Sequence, residues 1–306
     1  MGTPDFAVES LDAIYQSNHQ VVGVVTVPDR QTGRGLKVTY SPVKQYAIDH
    51  NLPLLQPEKL RDSQFQEELR AWNADIFVVV AFRMLPQSVW SMPRFGTFNL
   101  HASLLPQYRG AAPINWAIIN GETLTGATTF MLNERIDEGG ILMQQTTPIS
   151  SEDTAETLHD RLAIMGRDMV VSTLDSIENG TLKPQPQQNN VELKSAPKIF
   201  KNDCAINWAL SGKQIVDFVR GLSPYPAATM QMTDDKGKIQ QFKIYQVAFE
   251  PAETSQTGQV VTDQKKYLKI SVSDGYIHLL NLQLSGKKRV TAPEFLRGYN
   301  VQNWTL

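Results

Sequence analysis

Asn99 and His101 stand two positions apart at the end of an apolar run, in residues 97–106, TFNLHASLLP. On a β-strand that spacing sends both side chains out of one face. An amide and an imidazole side by side, with a Leu-Leu-Pro turn directly after them, serve equally as a hydrogen-bonded strand end or as two donors aimed at one reacting carbonyl. In the second case an imidazolium and an amide N–H hold the charge that grows on an oxygen under attack. Losing one such donor costs about 2.7–4 kcal/mol of barrier. Histidine is also the side chain best suited to moving a proton near neutral pH.

Two further stretches carry groups that could join them. Residues 135–140, RIDEGG, have the composition of a plain turn. A carboxylate there, Asp137, can also orient His101 and fix its protonation if the turn lies at the sheet's carboxyl edge. Residues 29–44 hold Arg30, Arg34 and Lys37 around Gly33 and Gly35, half of a dinucleotide fingerprint with Val38 where the third glycine belongs. That is a weak signal for phosphate cradling. The loop is either solvated surface or a nucleic-acid contact. Ser103, His101 and Asp137 have the composition of a hydrolase triad, but no G-x-S-x-G is present and Ser103 follows His101 by only two residues.

The elements that must position these groups alternate along the first 180 residues. Hydrophobic patterning predicts helices over 6–17, 42–49, 60–72, 113–120 and 151–177, and strands over 21–27, 75–81 and 96–101. Residues 31–41 read as a polar loop, 82–86 as a turn, and 126–132 with 141–147 as a strand pair. This is an α/β pattern: a Rossmann-like, mostly parallel sheet covered on both faces. Such sheets bind ligands beyond the strands' carboxyl ends, where His101 and the 82–86 turn both fall. Residues 181–198, rich in Pro, Gln and Asn, read as a linker. Beyond it come a helix over 211–220 and short strands over 227–233, 241–249, 258–261, 267–272 and 276–284, which suggest an OB-like β-barrel. The expected division is a catalytic domain over 1–182, a linker over 183–200 and a barrel over 201–306.

Composition sets the bounds. The single Cys204 excludes an internal disulfide framework, and five scattered histidines show no metal spacing. No apolar run nears the roughly 20 residues of a membrane span, and the N-terminus is not a signal peptide. These features predict a cytoplasmic protein with no membrane association. The net charge of −2 divides into +4 over residues 201–306 and −6 over the rest. A basic C-terminal part suits a polyanionic partner.

The stretches MGTPDFA, DRQTGRGLKVTYSPVK, VVVAFRMLP, NLHASLLPQYRGAAPINWAI and IDEGGIL resemble the folate-dependent formyltransferases. DCAINWAL, FVRGLSPYPAA and GKKRVTAPEFLRG are similar to the C-terminal barrel of family members that act on charged tRNA. The resemblance implies formyl transfer from 10-formyltetrahydrofolate to the amino group of initiator methionyl-tRNA, with Asn99 and His101 stabilising the oxyanion. It gives Asp137 the task of orienting His101 and helping remove the amine's proton, with no metal. Ser103, Leu104, Leu105, Pro106, Phe82, Arg83 and Leu85 would line the folate pocket, the pterin being read mainly by backbone groups. Arg34 is the expected tRNA contact, and Lys37, Lys287, Lys288 and Arg289 would grip phosphates. A monomer is expected. The rivals are a formyltransferase acting on an amino-sugar nucleotide and a tRNA-binding protein without catalysis, against which the intact Asn99, His101 and Asp137 argue. Two departures stand out. Residues 81–86 read AFRMLP where the family carries A-Y-G before Leu-Pro. The family's short apolar strand before GTPDFA is missing, which should leave neighbouring strands short of ladder partners and implies a start upstream of Met1.

Overall fold

The computed structural model describes residues 1–32, 37–188 and 192–306. The elements begin with α1 (Asp5–Gln16), β1 (Val24–Val25), β2 (Arg30–Thr32), β3 (Lys37–Thr39), α2 (Pro42–Asp49), β4 (Leu54–Leu55), α3 (Ser63–Ala71) and β5 (Phe77–Val80). Next come α4 (Gln87–Trp90), β6 (Thr97–His101), β7 (Arg109–Gly110), α5 (Pro113–Ile119), β8 (Leu124–Met131), β9 (Ile141–Pro148) and α6 (Ala155–Glu178). The chain ends with β10 (Ser195–Ala196), α7 (Gly212–Leu222), β11 (Ala228–Thr233), β12 (Ile239–Pro251), β13 (Val260–Thr262), β14 (Leu268–Val272), β15 (Gly275–Leu284), β16 (Val290–Thr291) and α8 (Ala292–Gly298). Two compact units result. The first comprises Met1–Gly110, Leu124–Pro148 and His159–Ser195, and the second Ala111–Thr123, Ile149–Leu158 and Ala196–Leu306.

In the first unit the helices start where the sequence marks them. Pro42 opens α2 with Ser41 accepting from the Lys44 N–H, and Asp62 caps α3 by accepting from the Phe65 N–H. The main sheet runs β5-β6-β8-β9, with β6 parallel to β5 and antiparallel to β8, and β8 antiparallel to β9. β1 pairs with β4 in parallel. Between β1 and β5 lie Met1 and Gly2: the Gly2 N–H donates to Val25 O at 3.1 Å and the Val80 N–H to Met1 O at 3.0 Å. A cavity of about 350 Å³, lined by Met1, Val21, Val25, Trp72, Phe77 and Leu174 among others, continues along this line.

Two expectations need correction. The seven-residue strand over 21–27 reduces to Val24–Val25, because β4 offers only two residues for it to pair with. Residues 31–41 are not simply a loop: β2 and β3 pair antiparallel, Arg30 opposite Thr39 and Thr32 opposite Lys37. Arg34 lies outside the described residues, and of Lys37 only the backbone is described.

The second unit is built on a six-stranded antiparallel sheet, β11-β12-β15-β14-β13, with β16 added to β15. Bulges between Ile244 and Val247 bend the long β12 where it pairs with β15. Its core gathers Ile215, Leu222, Phe242, Ile244, Ile277 and Phe295. α5 belongs here too: Asn115 Nδ2 donates to Gly221 O at 2.8 Å, and a Cβ on Gly221 would sit 2.7 Å from Ile119.

Close packing around β6 depends on glycine. Gly166 of α6 faces Leu100, whose Cδ2 would lie 2.5 Å from an added Cβ, so the helix rests tightly on that face of the strand. At Gly126 in β8 an added Cβ would lie 1.9 Å from the Gln145 carbonyl oxygen, and backbone cannot swing aside as a side chain can. Gly126→Ala should therefore destabilise the first unit by about 1–3 kcal/mol. Urea denaturation followed by tryptophan fluorescence checks this, a wild-type midpoint being the contrary result.

Candidate active site

β6 delivers two polar side chains to its carboxyl end. Phe98 and Leu100 point to one face and are buried, while Thr97, Asn99 and His101 alternate to the other. Thr97 Oγ1 donates to Trp90 O at 2.6 Å and fixes the strand's entry. Asn99 is half-buried and His101 is buried, so the amide is the more accessible of the two.

The His101 ring is held from both sides. Its Nε2 lies 2.9 Å from the carbonyl oxygen of Tyr108. A carbonyl only accepts, so Nε2 carries a proton and donates it there. That leaves Nδ1 as the working nitrogen, 3.9 Å from Asp137 Oδ2. This is an ion-pair separation rather than a hydrogen bond. The edge of Phe130 closes the ring's apolar flank, with centroids 6.4 Å apart.

Asp137 sits on the turn between β8 and β9 with φ +53°, in the left-handed region where a non-glycine residue is strained. Its Oδ2 accepts from the Gly110 N–H at 2.9 Å. Tyr108, also left-handed at φ +59°, aims its carbonyl at His101. Two such turns therefore meet around one imidazole. Gly139 is required on contact grounds: an added Cβ would stand 1.6 Å from Met131 O.

The turn after β6 is fixed by a buried hydroxyl that sequence reasoning missed. Thr128 Oγ1 donates to Ser103 O at 2.6 Å and accepts from the Leu105 N–H at 3.1 Å and from Gln144 Nε2 at 3.0 Å. Gln144 Nε2 also donates to Leu105 O at 2.8 Å, and Ser103 Oγ to Gln107 O at 2.7 Å. Much of the turn's backbone is thus committed to the fold. Ser103 and Leu105 are buried, whereas Leu104 and Pro106 are half-exposed. A polar Thr128 inside the apolar strand GATTF was the only signal in the sequence.

The 82–86 turn follows β5, parallel to and beside β6. Phe82 packs on the core and Leu85 is buried within it. The Arg83 guanidinium donates to the carbonyls of Pro57 and Glu58, tying this turn to the preceding loop. Lys287, Lys288 and Arg289 are exposed together between β15 and β16 of the second unit, with Arg289 lying 4.3 Å over the Tyr245 ring. Among the described residues no three His, Cys, Asp or Glu side chains gather as metal ligands.

Residues 1–174 match the family described as Formyl transferase, and residues 198–300 its C-terminal domain. A methionyl-tRNA formyltransferase of Bacteroides thetaiotaomicron is 53% identical over 99% of this chain and 95% of its own length. That of Flavobacterium psychrophilum is 46% identical over 100% and 97%. Among solved structures, the N-formyltransferase of Helicobacter canadensis, in complex with folinic acid and dTDP-3-aminofucose, superposes with a TM-score of 0.61. It is 22% identical and covers 91% of this chain and 96% of its own. HypX of Aquifex aeolicus, in complex with tetrahydrofolic acid, gives 0.58 at 19% identity, over 85% of this chain and 47% of its own.

Replacing Thr128 by Val keeps the shape and removes the hydroxyl, stranding the Leu105 N–H in the core. Thr128→Val should cost about 1–3 kcal/mol of stability, whereas Thr128→Ser recovers most of it. Equilibrium unfolding of the two variants measures the difference.

Proposed function

This chain belongs to the formyl transferase family, and from that membership we infer that it transfers a formyl group from 10-formyltetrahydrofolate to the amino group of methionyl-initiator tRNA. Identity of about half or more over nearly the whole length to methionyl-tRNA formyltransferases supports this acceptor. The amino-sugar alternative rests on a likeness of 22% identity, which speaks to the fold alone. The single observation that carries the chemistry is His101 with Nε2 committed to a carbonyl and Nδ1 open beside Asp137.

The residues fit an acyl donor. Leu104 and Pro106, apolar and half-exposed, follow the strand end that carries the amide and the imidazole, with a carboxylate 3.9 Å from the imidazole. Bound formyl-folate supplies a formyl group already activated for transfer. The chain's own residues do the rest. Asn99 donates an amide N–H, and protonated Nδ1 of His101 a second, to the formyl oxygen as charge develops on it. Asp137 faces Nδ1, compensates the imidazolium and takes up the proton that the amine must lose, which passes to the departing donor nitrogen as its bond to the formyl carbon breaks and the new amide bond remains. The Gly110 N–H keeps that carboxylate aimed. Lys287, Lys288 and Arg289 supply exposed positive charge for tRNA phosphates, and Arg34 a further contact. An aminoacylated tRNA as acceptor supports a cytoplasmic site of action.

Formyl transfer to charged initiator tRNA tests the reading, with a dTDP-amino sugar assayed alongside. Wild type should form formyl-methionyl-tRNA and leave the sugar unchanged; the reverse pattern overturns the proposal. Asn99→Ala and His101→Ala should each lower kcat by about 10²–10³-fold, and Asp137→Asn by about 10²–10⁴-fold, each assayed at a temperature where the variant is folded.

Replacing Lys287 and Lys288 by Ala should raise KM for tRNA with kcat unchanged. It should also flatten the slope of log affinity against log salt by roughly 0.7–0.9 for each phosphate that is no longer neutralised. An unchanged salt slope would remove this loop from the tRNA surface.

A further inference from the structure

Gln187, within the segment that reads as a linker, makes four hydrogen bonds, all inside the first unit. Its Oε1 accepts from Arg109 Nε at 3.1 Å and from Arg109 Nη2 at 2.7 Å. Its Nε2 donates to Asp137 O at 2.8 Å and to Gly139 O at 2.9 Å. Arginine only donates and carbonyls only accept, so the amide can be oriented in one way alone. The two loops it joins are those that bracket His101. Arg109 follows Tyr108, whose carbonyl holds Nε2, and precedes Gly110, whose N–H holds the Asp137 carboxylate.

The strand of chain carrying Gln187 is itself fixed against the catalytic turn. Gln185 and Ile141 exchange two backbone hydrogen bonds of 2.8 Å. Gly140 is packed so closely that an added Cβ would lie 2.7 Å from Pro184 Cβ. Arg109 adds an ion pair to Glu138 at 3.4 Å, next to Asp137. Both turns contain left-handed non-glycine residues, which revert to ordinary conformations unless their surroundings hold them.

We propose that Gln187 is a positioning residue for the transfer reaction: by tying the Asp137 turn to Arg109 it sets the separation between His101 Nδ1 and the Asp137 carboxylate. This rests on the formyl-transfer reading for its kinetic consequence but not for its geometric one. Among the described residues Nδ1 pairs with the Asp137 carboxylate, and Glu138, next along that turn, pairs with Arg109. Loss of Gln187 frees the turn's backbone while leaving all three side chains present.

Three variants separate this role from general support. Gln187→Ala removes both links. Gln187→Glu keeps acceptors for Arg109 but cannot donate to the two carbonyls. Gln187→Met keeps the length and bonds to neither. All three should lower kcat 10- to 100-fold with KM for donor and tRNA within threefold, and displace the pH profile of kcat. Independently of activity, the His101 imidazole titration followed by nitrogen-15 NMR should shift in each variant relative to wild type. Wild-type titration curves and kcat in Gln187→Ala overturn the proposal. So does a kcat loss in all three that follows only from a lowered melting temperature. Should the wild type transfer no formyl group, the functional reading fails and the NMR titration still decides the role of Gln187.

Discussion

The Tyr108 carbonyl that receives Nε2 of His101 decides what the rest of the site can be. An imidazole with one nitrogen committed as a donor has only one left for chemistry, and the fold points that one at Asp137. Without the pin, either tautomer and several ring orientations would compete, and a carboxylate nearby would not select the useful one. Pinning the ring also relieves Asp137 of close contact. The carboxylate stands 3.9 Å off, held instead by the Gly110 N–H.

This arrangement has a cost in backbone strain, since Tyr108 and Asp137 both take left-handed conformations. Strain of this kind persists only where several contacts act together. Here they come from β8, which pairs antiparallel with β6, from β9 on the far side of β8, and from the extended chain over residues 184–187. A wholly parallel sheet would need a crossover helix between each pair of strands. The β8–β9 hairpin instead begins its connecting turn level with the amino end of β6, where the Leu132 N–H donates to Thr97 O, and the turn reaches back to set Asp137 3.9 Å from His101. The antiparallel half of the sheet therefore serves the site: it lets a residue 36 positions after His101 reach it through one turn.

Much of this was legible in the sequence. The i, i+2 spacing of Asn99 and His101 fixed their shared face, and period-2 and period-3.6 patterns located most helices and strands, including five strands of the second unit, but not α8. The parallel β5–β6 pair and its carboxyl-end site followed from the β-α-β alternation. What escaped notice was carried by backbone groups. The Tyr108 carbonyl, the Gly110 N–H and the ladder between Gln185 and Ile141 use atoms that every residue possesses, so composition holds no trace of them. Thr128 and Gln144 were obscure for a related reason: a buried hydroxyl with three partners reads, along the chain, as an ordinary threonine in a strand. The two glycines at 139 and 140 looked like turn residues, whereas contact with Met131 and Pro184 is what demands them.

The 181–198 stretch shows where composition misleads in the other direction. Proline, glutamine and asparagine with few apolar residues mark chain that cannot build its own core. They do not say that the chain is idle. A segment without a hydrophobic face can still be fixed by hydrogen bonds, provided something presents donors and acceptors in the right order. The left-handed turn at Asp137 does so, because it exposes the carbonyls of Asp137 and Gly139 that no sheet partner claims. Gln187 supplies the paired donors for them and turns its oxygen to an arginine. Low hydrophobicity and a fixed conformation are compatible here because the strained turn and the polar segment each leave unsatisfied what the other can complete.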